Sequence, residues 1–225
     1  MTAQELFETS LFNDPSLLQY YRMEGNSNDS KNGKNGTDTA ISYDNAYGKF
    51  KKGATLNGST SYIQLPYVNM GTAITMNFWY NPQNSVSGGY GILCPMKTLM
   101  RIDIGGATKW YYYPDTAGGN YSAGVNPTFT TGAWTMLTLT QTGGTIRFYQ
   151  NGALLGSQVT GATNIGTGQD ASNGDRIGSW GAGEIIPACY IDDVSFWNRV
   201  LTDAEISALY NGGLPSKGGG ATLMF

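Results

Sequence analysis

Short runs in which apolar and polar residues alternate recur along most of this chain. Alternation with a period of two is typical of a strand that has one buried face. Turn signals such as Asn-Gly, Gly-Gly and proline separate the runs, and ten or more short strands divided in this way predict an all-β sandwich or barrel. The runs are Leu17–Met23, Ala54–Asn57, Tyr62–Leu65, Ile74–Tyr80, Gly91–Pro95, Met100–Ile104, Lys109–Tyr113, Trp134–Gln141, Thr145–Gln150, Asp175–Ile177 and Tyr190–Trp197.

Two local signals predict a hairpin and a helix. Asn151-Gly152 lies between two runs of alternating polar and apolar residues and predicts a two-residue hairpin loop. Both central positions of a type I′ turn need a positive φ, which is why Asn-Gly is preferred there. Thr202, with Glu205 three residues later, has the spacing of a capping box. The sequence therefore predicts one short helix over Thr202–Tyr210, after the last strand.

Composition divides the chain into three parts. Residues 1–16 are predicted to form an N-terminal arm, residues 17–213 a single sandwich, and residues 214–225 a glycine-rich tail. The tail contains Gly218-Gly219-Gly220, and glycine loses the most backbone entropy on ordering. We therefore expect both ends, Met1 to Asp14 and Lys217 to Phe225, to be poorly attached to the sandwich.

Charge and residue usage exclude several classes of function. Charged residues make up 13% of the chain and the net charge is −3, so no basic patch favours nucleic acid as a partner. The absence of histidine removes His-based zinc sites and Ser-His-Asp triads. Two cysteines are too few for a disulfide framework. No run approaches the roughly 20 apolar residues of a membrane span. The N-terminus does not resemble a secretory signal, so we expect an extracellular or virion-surface location reached by another route.

Several motifs resemble the laminin-G-like, pentraxin-like branch of the concanavalin A-like superfamily, over about Leu17 to Gly213. The resemblance implies an antiparallel jelly-roll β-sandwich with one short C-terminal helix. It does not identify a function, because the superfamily holds lectins, adhesion modules and hydrolases. The motifs are Tyr20–Asn26, Leu56-Asn57-Gly58, Ile74–Trp79, Phe148–Gly152, Ile191–Val194 and Asn198–Thr202 with Glu205-Ile206.

The resemblance also allows the hydrolase alternative to be examined. Laminarinase-type relatives carry a Glu-x-Asp-x-x-Glu pattern on one strand, since two carboxylates must flank the glycosidic bond at about 5 to 5.5 Å. None of the five glutamates here is placed in that pattern. Asp192 and Asp193 are adjacent, so strand alternation predicts that they point to opposite faces. We therefore expect no enzymatic activity and no catalytic residues.

A structural calcium ion is implied by the same resemblance. Calcium-binding relatives surround the ion with a carboxylate from the first strand, the following loop and an aspartate on the last strand, which correspond here to Glu24, Asn26 and Asp192. Oxygen ligands suit Ca²⁺, which takes six to eight of them at about 2.3 to 2.6 Å. In the alternative, Asp192 bonds backbone amides and Glu24 is a solvated strand end. If calcium binds, Asp192→Asn should lower the melting temperature as a chelator does.

Aromatic and polar residues in the middle of the chain are candidates for a glycan platform. Flat rings stack on sugars, while amides and carboxylates bond their hydroxyl groups. Strand alternation places Trp110 and Tyr112 on one face, and ordinary packing of one such pair in the core remains an alternative. The predicted ligand-binding residues are Tyr90, Trp110, Tyr112, Asp115, Asn120, Tyr121 and Trp180.

These observations favour a non-catalytic, lectin-like display or adhesion module whose partner is a glycan or cell-surface polysaccharide. The alternative is a structural protein of a virus or phage particle, such as a decoration, fibre or tail component. In that alternative the apolar end Leu223-Met224-Phe225 docks on other virion or surface proteins. A homo-oligomer is compatible with both, and a glycoside hydrolase ranks third.

Overall fold

The computed structural model describes most of the chain. It covers residues 3–84, 88–94, 99–104, 109–113, 121–122, 124, 127–159, 175–179 and 186–217. For residues 88–94, 99–104, 109–113, 121 and 158–159 it describes the backbone alone.

Fifteen strands are described, and every strand pairing between them is antiparallel. They are β1 Leu17–Tyr21, β2 Thr37–Thr39, β3 Ser42–Asp44, β4 Gly53–Leu56, β5 Tyr62–Leu65, β6 Ile74–Pro82, β7 Gly88–Cys94, β8 Leu99–Ile104, β9 Lys109–Tyr113, β10 Tyr121–Ser122, β11 Thr135–Thr142, β12 Thr145–Gln150, β13 Ala153–Val159, β14 Asp175–Ile177 and β15 Cys189–Trp197. The first sheet has the order β13-β12-β11-β6-β15-β4-β3, with β1 also paired to β15, and the second has the order β10-β9-β8-β7-β14-β5-β2. One α-helix is described, α1, which covers Asp203–Asn211.

The inner core lies between the two sheets and confirms the predicted sandwich. Ile63 and Ile177 of the second sheet are fully buried against apolar residues of the first. Tyr62 is only partly buried beside Ile63, as alternation along a strand requires. Six of the residues that alternation predicts to point inward belong to this core: Phe78, Leu137, Leu139, Phe148, Val194 and Phe196.

The predicted hairpin and helix both form. Asn151 and Gly152 have φ values of 53° and 78°, and they connect β12 to β13. Thr202 accepts a hydrogen bond from the Glu205 N–H, and the Glu205 carboxylate accepts one from the Thr202 N–H. Helix α1 begins one residue later and ends one residue later than predicted, at Asp203 and Asn211.

A second apolar layer, the outer core, lies on the face of the first sheet that turns away from the second sheet. It packs the N-terminal segment and helix α1 on the sheet. Its buried members are Leu6, Leu11, Leu17, Tyr20, Trp79, Met136, Tyr149, Trp197, Leu201, Ile206 and Leu209.

The expectation that the N-terminal arm is poorly attached is therefore wrong for residues 3–14. Two 3-10 turns, Leu6–Glu8 and Ser10–Asn13, place Leu6 at 0% exposure and Leu11 at 6%. Burying each such side chain contributes about 1.5 to 3 kcal/mol. Lys217, predicted to belong to the loose tail, donates its N–H to the Glu8 carbonyl at 2.9 Å.

Arg199 ties the end of the arm to helix α1. Its guanidinium donates to Asp14 Oδ2 at 2.7 Å and to Glu205 Oε1 at 2.7 Å. Paired guanidinium and carboxylate groups form charge-assisted hydrogen bonds that fix geometry. These bonds raise the pKa of Arg199 and lower the pKa of Glu205, for which the Arg199 side chain is the first cause.

Candidate functional site

A pocket of about 400 Å³ opens at one end of the first sheet. It lies between segment 127–133 and the hairpin that joins β12 to β13. Ligand pockets of proteins typically measure about 300 to 1,000 Å³, so this one has room for a small ligand. The lining residues are Thr128, Thr130, Ala133, Trp134, Thr135, Gln150, Asn151, Ala153, Leu154 and Leu155.

Segment 127–133 is held against the sandwich by side-chain and backbone contacts. Gln150, at the end of β12, accepts a hydrogen bond from the Thr128 N–H at 3.3 Å and donates one to the Thr128 carbonyl at 2.5 Å. The ring of Phe129 packs edge-on against Tyr80 with centroids 5.4 Å apart. Gly132 donates its N–H to the Pro82 carbonyl at 2.8 Å. The pocket wall is therefore fixed to β6 and β12.

The other wall is positioned by the hairpin turn. Asn151 accepts the Met136 N–H on its side-chain Oδ1 at 3.0 Å and donates its own N–H to the Met136 carbonyl at 2.9 Å. These bonds hold the turn beside the start of β11. Leu154, in β13, is 51% exposed at the pocket rim.

The chemistry of the pocket combines an indole with uncharged polar groups. Trp134 is half-buried and packs against the outer core, so its ring is held in place while part of it faces solvent. Hydroxyl and amide groups come from three threonines, Gln150 and Asn151. None of the described residues that line this pocket is charged. The arrangement suits a neutral ligand with a flat apolar face and several hydroxyl groups.

The predicted calcium ligands bind backbone amides. Asp192 Oδ2 accepts the N–H groups of Lys49 at 2.8 Å and Phe50 at 3.2 Å. Glu24 Oε2 accepts the Lys52 N–H at 3.3 Å. Asn26 Oδ1 accepts the Asn28 N–H at 2.9 Å. These oxygens already have donors, which matches the alternative for Asp192, and within the described ranges no three His, Cys, Asp or Glu side chains form a metal cluster. Calcium binding stays a prediction.

The polar loop after β1 is organised by Asp29. This carboxylate is 6% exposed. Its Oδ1 accepts the N–H of Tyr20 at 2.8 Å and that of Lys31 at 3.0 Å, and its Oδ2 accepts those of Asn32 and Lys34 at 3.0 Å. Four backbone donors satisfied by one buried carboxylate fix the path of the loop.

Asp192 and Asp193 lie on the same face, so the prediction that they point to opposite faces is wrong. The pairing of β15 with β6 shifts register between Asp192 and Ser195, and Asp193 has a φ of 54°. A β-bulge of this kind interrupts strand alternation. Asp193 accepts hydrogen bonds from the Leu6 N–H at 3.2 Å and from the Tyr20 hydroxyl.

Burial makes both aspartates unusual acids. Each is 1% exposed. Desolvation raises the pKa of Asp193 to about 7, against an ordinary value of 3.8, although the Tyr20 hydroxyl opposes the shift. Desolvation, followed by the charge of Asp193, also raises the pKa of Asp192. The arm and segment 49–50 contact these carboxylates, so in this arrangement a sugar ring has no access to them.

Four of the predicted ligand-binding residues occupy strands for which the backbone is described. Ile102 of β8 pairs with Tyr90 on one side and with Trp110 on the other. Met100 of β8 pairs with Tyr112, which in turn pairs with Tyr121. Alternate positions of one strand share a face, so all four positions share one face of the second sheet. They are Tyr90, Trp110, Tyr112 and Tyr121.

The backbone register joins this part of the second sheet to the inner core. Met100 pairs with Leu93, and Leu93 pairs with Ile177, which is fully buried in the inner core. The side chains of Tyr90, Trp110, Tyr112 and Tyr121 lie outside the described part of the structure, so glycan binding by these residues stays a prediction. Six other predicted residues lie outside the described residues: Asp115, Asn120, Trp180, Leu223, Met224 and Phe225.

The pocket residues were missed as ligand candidates in the sequence. The sequence pattern places Trp134 at the start of a strand, Gln150 at the end of another strand and Asn151 in the turn that follows it. These positions are the available signal, since side chains at strand ends can reach one another. The sequence alone did not show that these two ends meet.

Comparison with known proteins gives a family match. A laminin-G model described as "Concanavalin A-like lectin/glucanases superfamily" matches residues 57–207. No curated protein matches the chain in sequence. In the described part of the chain, no helix has the length and apolarity needed to cross a membrane.

Solved structures share the fold at low sequence identity. Domain 4 of AbnA, a GH43 extracellular arabinanase from Geobacillus stearothermophilus, solved in complex with arabinotriose, has a TM-score of 0.72 and 21% identity, over 87% of this chain and 98% of that domain. The binding domain of Paraclostridial Mosquitocidal Protein 1 has a TM-score of 0.69 and 16% identity, over 87% of this chain and 52% of that one. The botulinum neurotoxin serotype D binding domain has a TM-score of 0.63 and 17% identity, over 87% and 51%. This chain thus spans about half of the two toxin domains.

Proposed function

Because the chain belongs to the concanavalin A-like lectin/glucanase superfamily, we propose that it is a non-catalytic carbohydrate-binding module whose ligand site is the pocket beside Trp134. The single observation that carries this proposal is the composition of that pocket, which is lined by the half-buried Trp134, threonine hydroxyls and two amides, with no charged side chain among the described lining residues. Sugars present both hydroxyl groups and an apolar ring face to such a surface.

Three further observations support the proposal. The arabinanase domain of similar fold was solved with arabinotriose, and the toxin domains are named as binding domains. The two adjacent carboxylates of β15 are buried, Asp193 beneath the arm and Asp192 beneath segment 49–50, which supports a module without hydrolytic activity. An extracellular location fits such a partner, and the arabinanase is itself extracellular.

The test is direct binding of glycans by the folded chain. A glycan array, run with and without chelator, identifies the ligand and any need for calcium, and calorimetry then measures the affinity. Trp134→Ala should weaken binding at least about tenfold, which corresponds to about 1.4 kcal/mol, because the stacking surface is lost. The variant's melting curve shows whether it folds.

Tyr62→Ala is the matched control, since Tyr62 is also a half-buried aromatic residue but lies in the second sheet. Its affinity should equal that of the unaltered chain. Failure of every glycan to bind would refute the proposed function. Equal affinity of the unaltered chain and a folded Trp134→Ala variant would remove the site from this pocket.

A further inference from the structure

A row of side chains continues from the pocket across the outer face of the first sheet, and its members are partly exposed except for Asn81, which is buried. Tyr190 in β15 precedes Ile191, which belongs to the inner core, so Tyr190 lies on the outer face. It pairs in register with Asn81 of β6 on one side and with Thr55 of β4 on the other. The row therefore crosses three neighbouring strands.

Trp134 extends this row to the edge of the pocket. Thr135 pairs with Tyr80, which is an inner-core residue. The preceding residue, Trp134, therefore lies on the outer face beside Asn81, where it packs against the outer core. Neighbouring strands are about 4.8 Å apart, so Tyr190 and Trp134 are separated by two strand spacings, about 10 Å.

An aromatic pair closes the far end of the row. The rings of Tyr47 and Tyr190 have centroids 4.7 Å apart and an interplanar angle of 32°, and both residues are half-buried. The contact fixes the two rings as one apolar surface. Phe50 and helix α1 cover Trp79, two residues before Asn81, so the row lies at the border of the covered face.

Amide groups fill the space between the two aromatic ends. Gln83 donates from Nε2 to Asn81 Oδ1 at 2.9 Å and to the Asn81 carbonyl at 3.3 Å, and Asn81 donates from Nδ2 to the Gly132 carbonyl at 3.3 Å. Asn81 is 5% exposed and Gln83 is half-buried. The amides are thus held in place between Trp134 and Tyr190, and none of the described residues that form the row is charged.

From this geometry we propose that the ligand is a neutral polysaccharide chain several sugar units long, which occupies the pocket at Trp134 and runs across Asn81 and Gln83 to the Tyr47–Tyr190 pair. The inference rests on the proposed function and adds the length and path of the ligand. Aromatic surfaces at both ends stack on separate sugar rings, and the amides bond hydroxyl groups between them. A site for one terminal sugar would need the pocket alone.

Calorimetry with oligosaccharides of one to six units, prepared from arabinan, xylan and β-glucan, tests this inference. With the unaltered chain, affinity should rise at least about tenfold, equivalent to about 1.4 kcal/mol, once the ligand is long enough to reach the tyrosine pair. Tyr190→Ala should abolish that rise and leave the affinity for the shortest bound sugar unchanged. Tyr47→Ala provides a second variant, and Tyr62→Ala is the control with the same side chain in the second sheet.

Each outcome separates the two proposals. Tight binding of the shortest sugar with no gain from length would overturn the extended path and leave the pocket as the site. The same gain from length in folded Tyr190→Ala and Tyr47→Ala variants as in the unaltered chain would also overturn it. Failure of all three series, and of the array glycans, to bind would refute the proposed function itself.

Discussion

Replacing Leu6 by alanine should lower the free energy of unfolding by about 2 to 5 kcal/mol, which is the usual cost of truncating a fully buried leucine. Leu6 is 0% exposed and belongs to the outer core with Trp79 and Trp197. The substitution leaves a cavity beneath the arm but keeps the backbone N–H that Asp193 accepts. Urea unfolding followed by intrinsic fluorescence measures the change.

Glu8→Ala is the control on the same arm, because Glu8 is exposed and exposed substitutions usually change stability by less than about 0.5 kcal/mol. A loss for Leu6→Ala as small as that of the control would mean that the arm is loosely attached. The sequence-based expectation for the arm would then be restored.

The free energy of unfolding should fall as pH rises from 5 to 7, and Asp193→Asn should remove much of that fall. The folded pKa of Asp193, about 7, lies above its ordinary value of 3.8. The folded state therefore holds a proton that the unfolded state has released, and this stabilisation is lost as pH rises toward 7. With about 1.4 kcal/mol per pKa unit, the fall over this range is about 2 kcal/mol.

The composition of the chain limits the groups that can titrate over this pH range. The chain contains no histidine, so no imidazole titrates between pH 5 and 7. The raised pKa of Asp192 acts in the same direction, which leaves a residual slope in the Asp193→Asn variant. Asparagine also tolerates the positive φ at this position and keeps an acceptor for the Leu6 N–H. An unchanged slope in Asp193→Asn, with Glu8→Gln as the control, would show that Asp193 is ionised when folded.

The inner core could be predicted from alternation because most of its residues follow a period of two. Phe78 and Phe148 are examples, since the residues that follow them, Trp79 and Tyr149, belong to the outer core. Helix α1 was predictable from the capping box at Thr202. Short edge strands such as β2, Thr37–Thr39, were not predicted, because three polar residues carry no hydrophobic pattern and gain their strand geometry from pairing with β5.

The outer core was missed although the sequence contains its signal. Every residue of β6, Ile74–Pro82, is buried, and a strand buried on both faces requires a third layer above the sheet. Trp79, between the inward residues Phe78 and Tyr80, is the residue that could have shown this. The arm supplies that layer with Leu6 and Leu11, whose separation of five residues fits neither a long helix nor a strand.

The bulge at Asp193 also could not be derived from the sequence. Two adjacent aspartates in an apolar strand fit regular alternation, and nothing local shows that one of them adopts a positive φ. The candidate pocket depends on long-range contacts of the same kind. Gln150 reaches Thr128, 22 residues away, and only the folded sandwich brings them together.

A structure of the chain with its highest-affinity oligosaccharide from the array is the most direct test of the central claim. We expect one sugar ring to stack on the indole of Trp134, between segment 127–133 and the turn at Asn151, with hydroxyl groups bonded to Gln150 or Asn151. A sugar bound instead on the second sheet, with the Trp134 pocket vacant, would contradict the account.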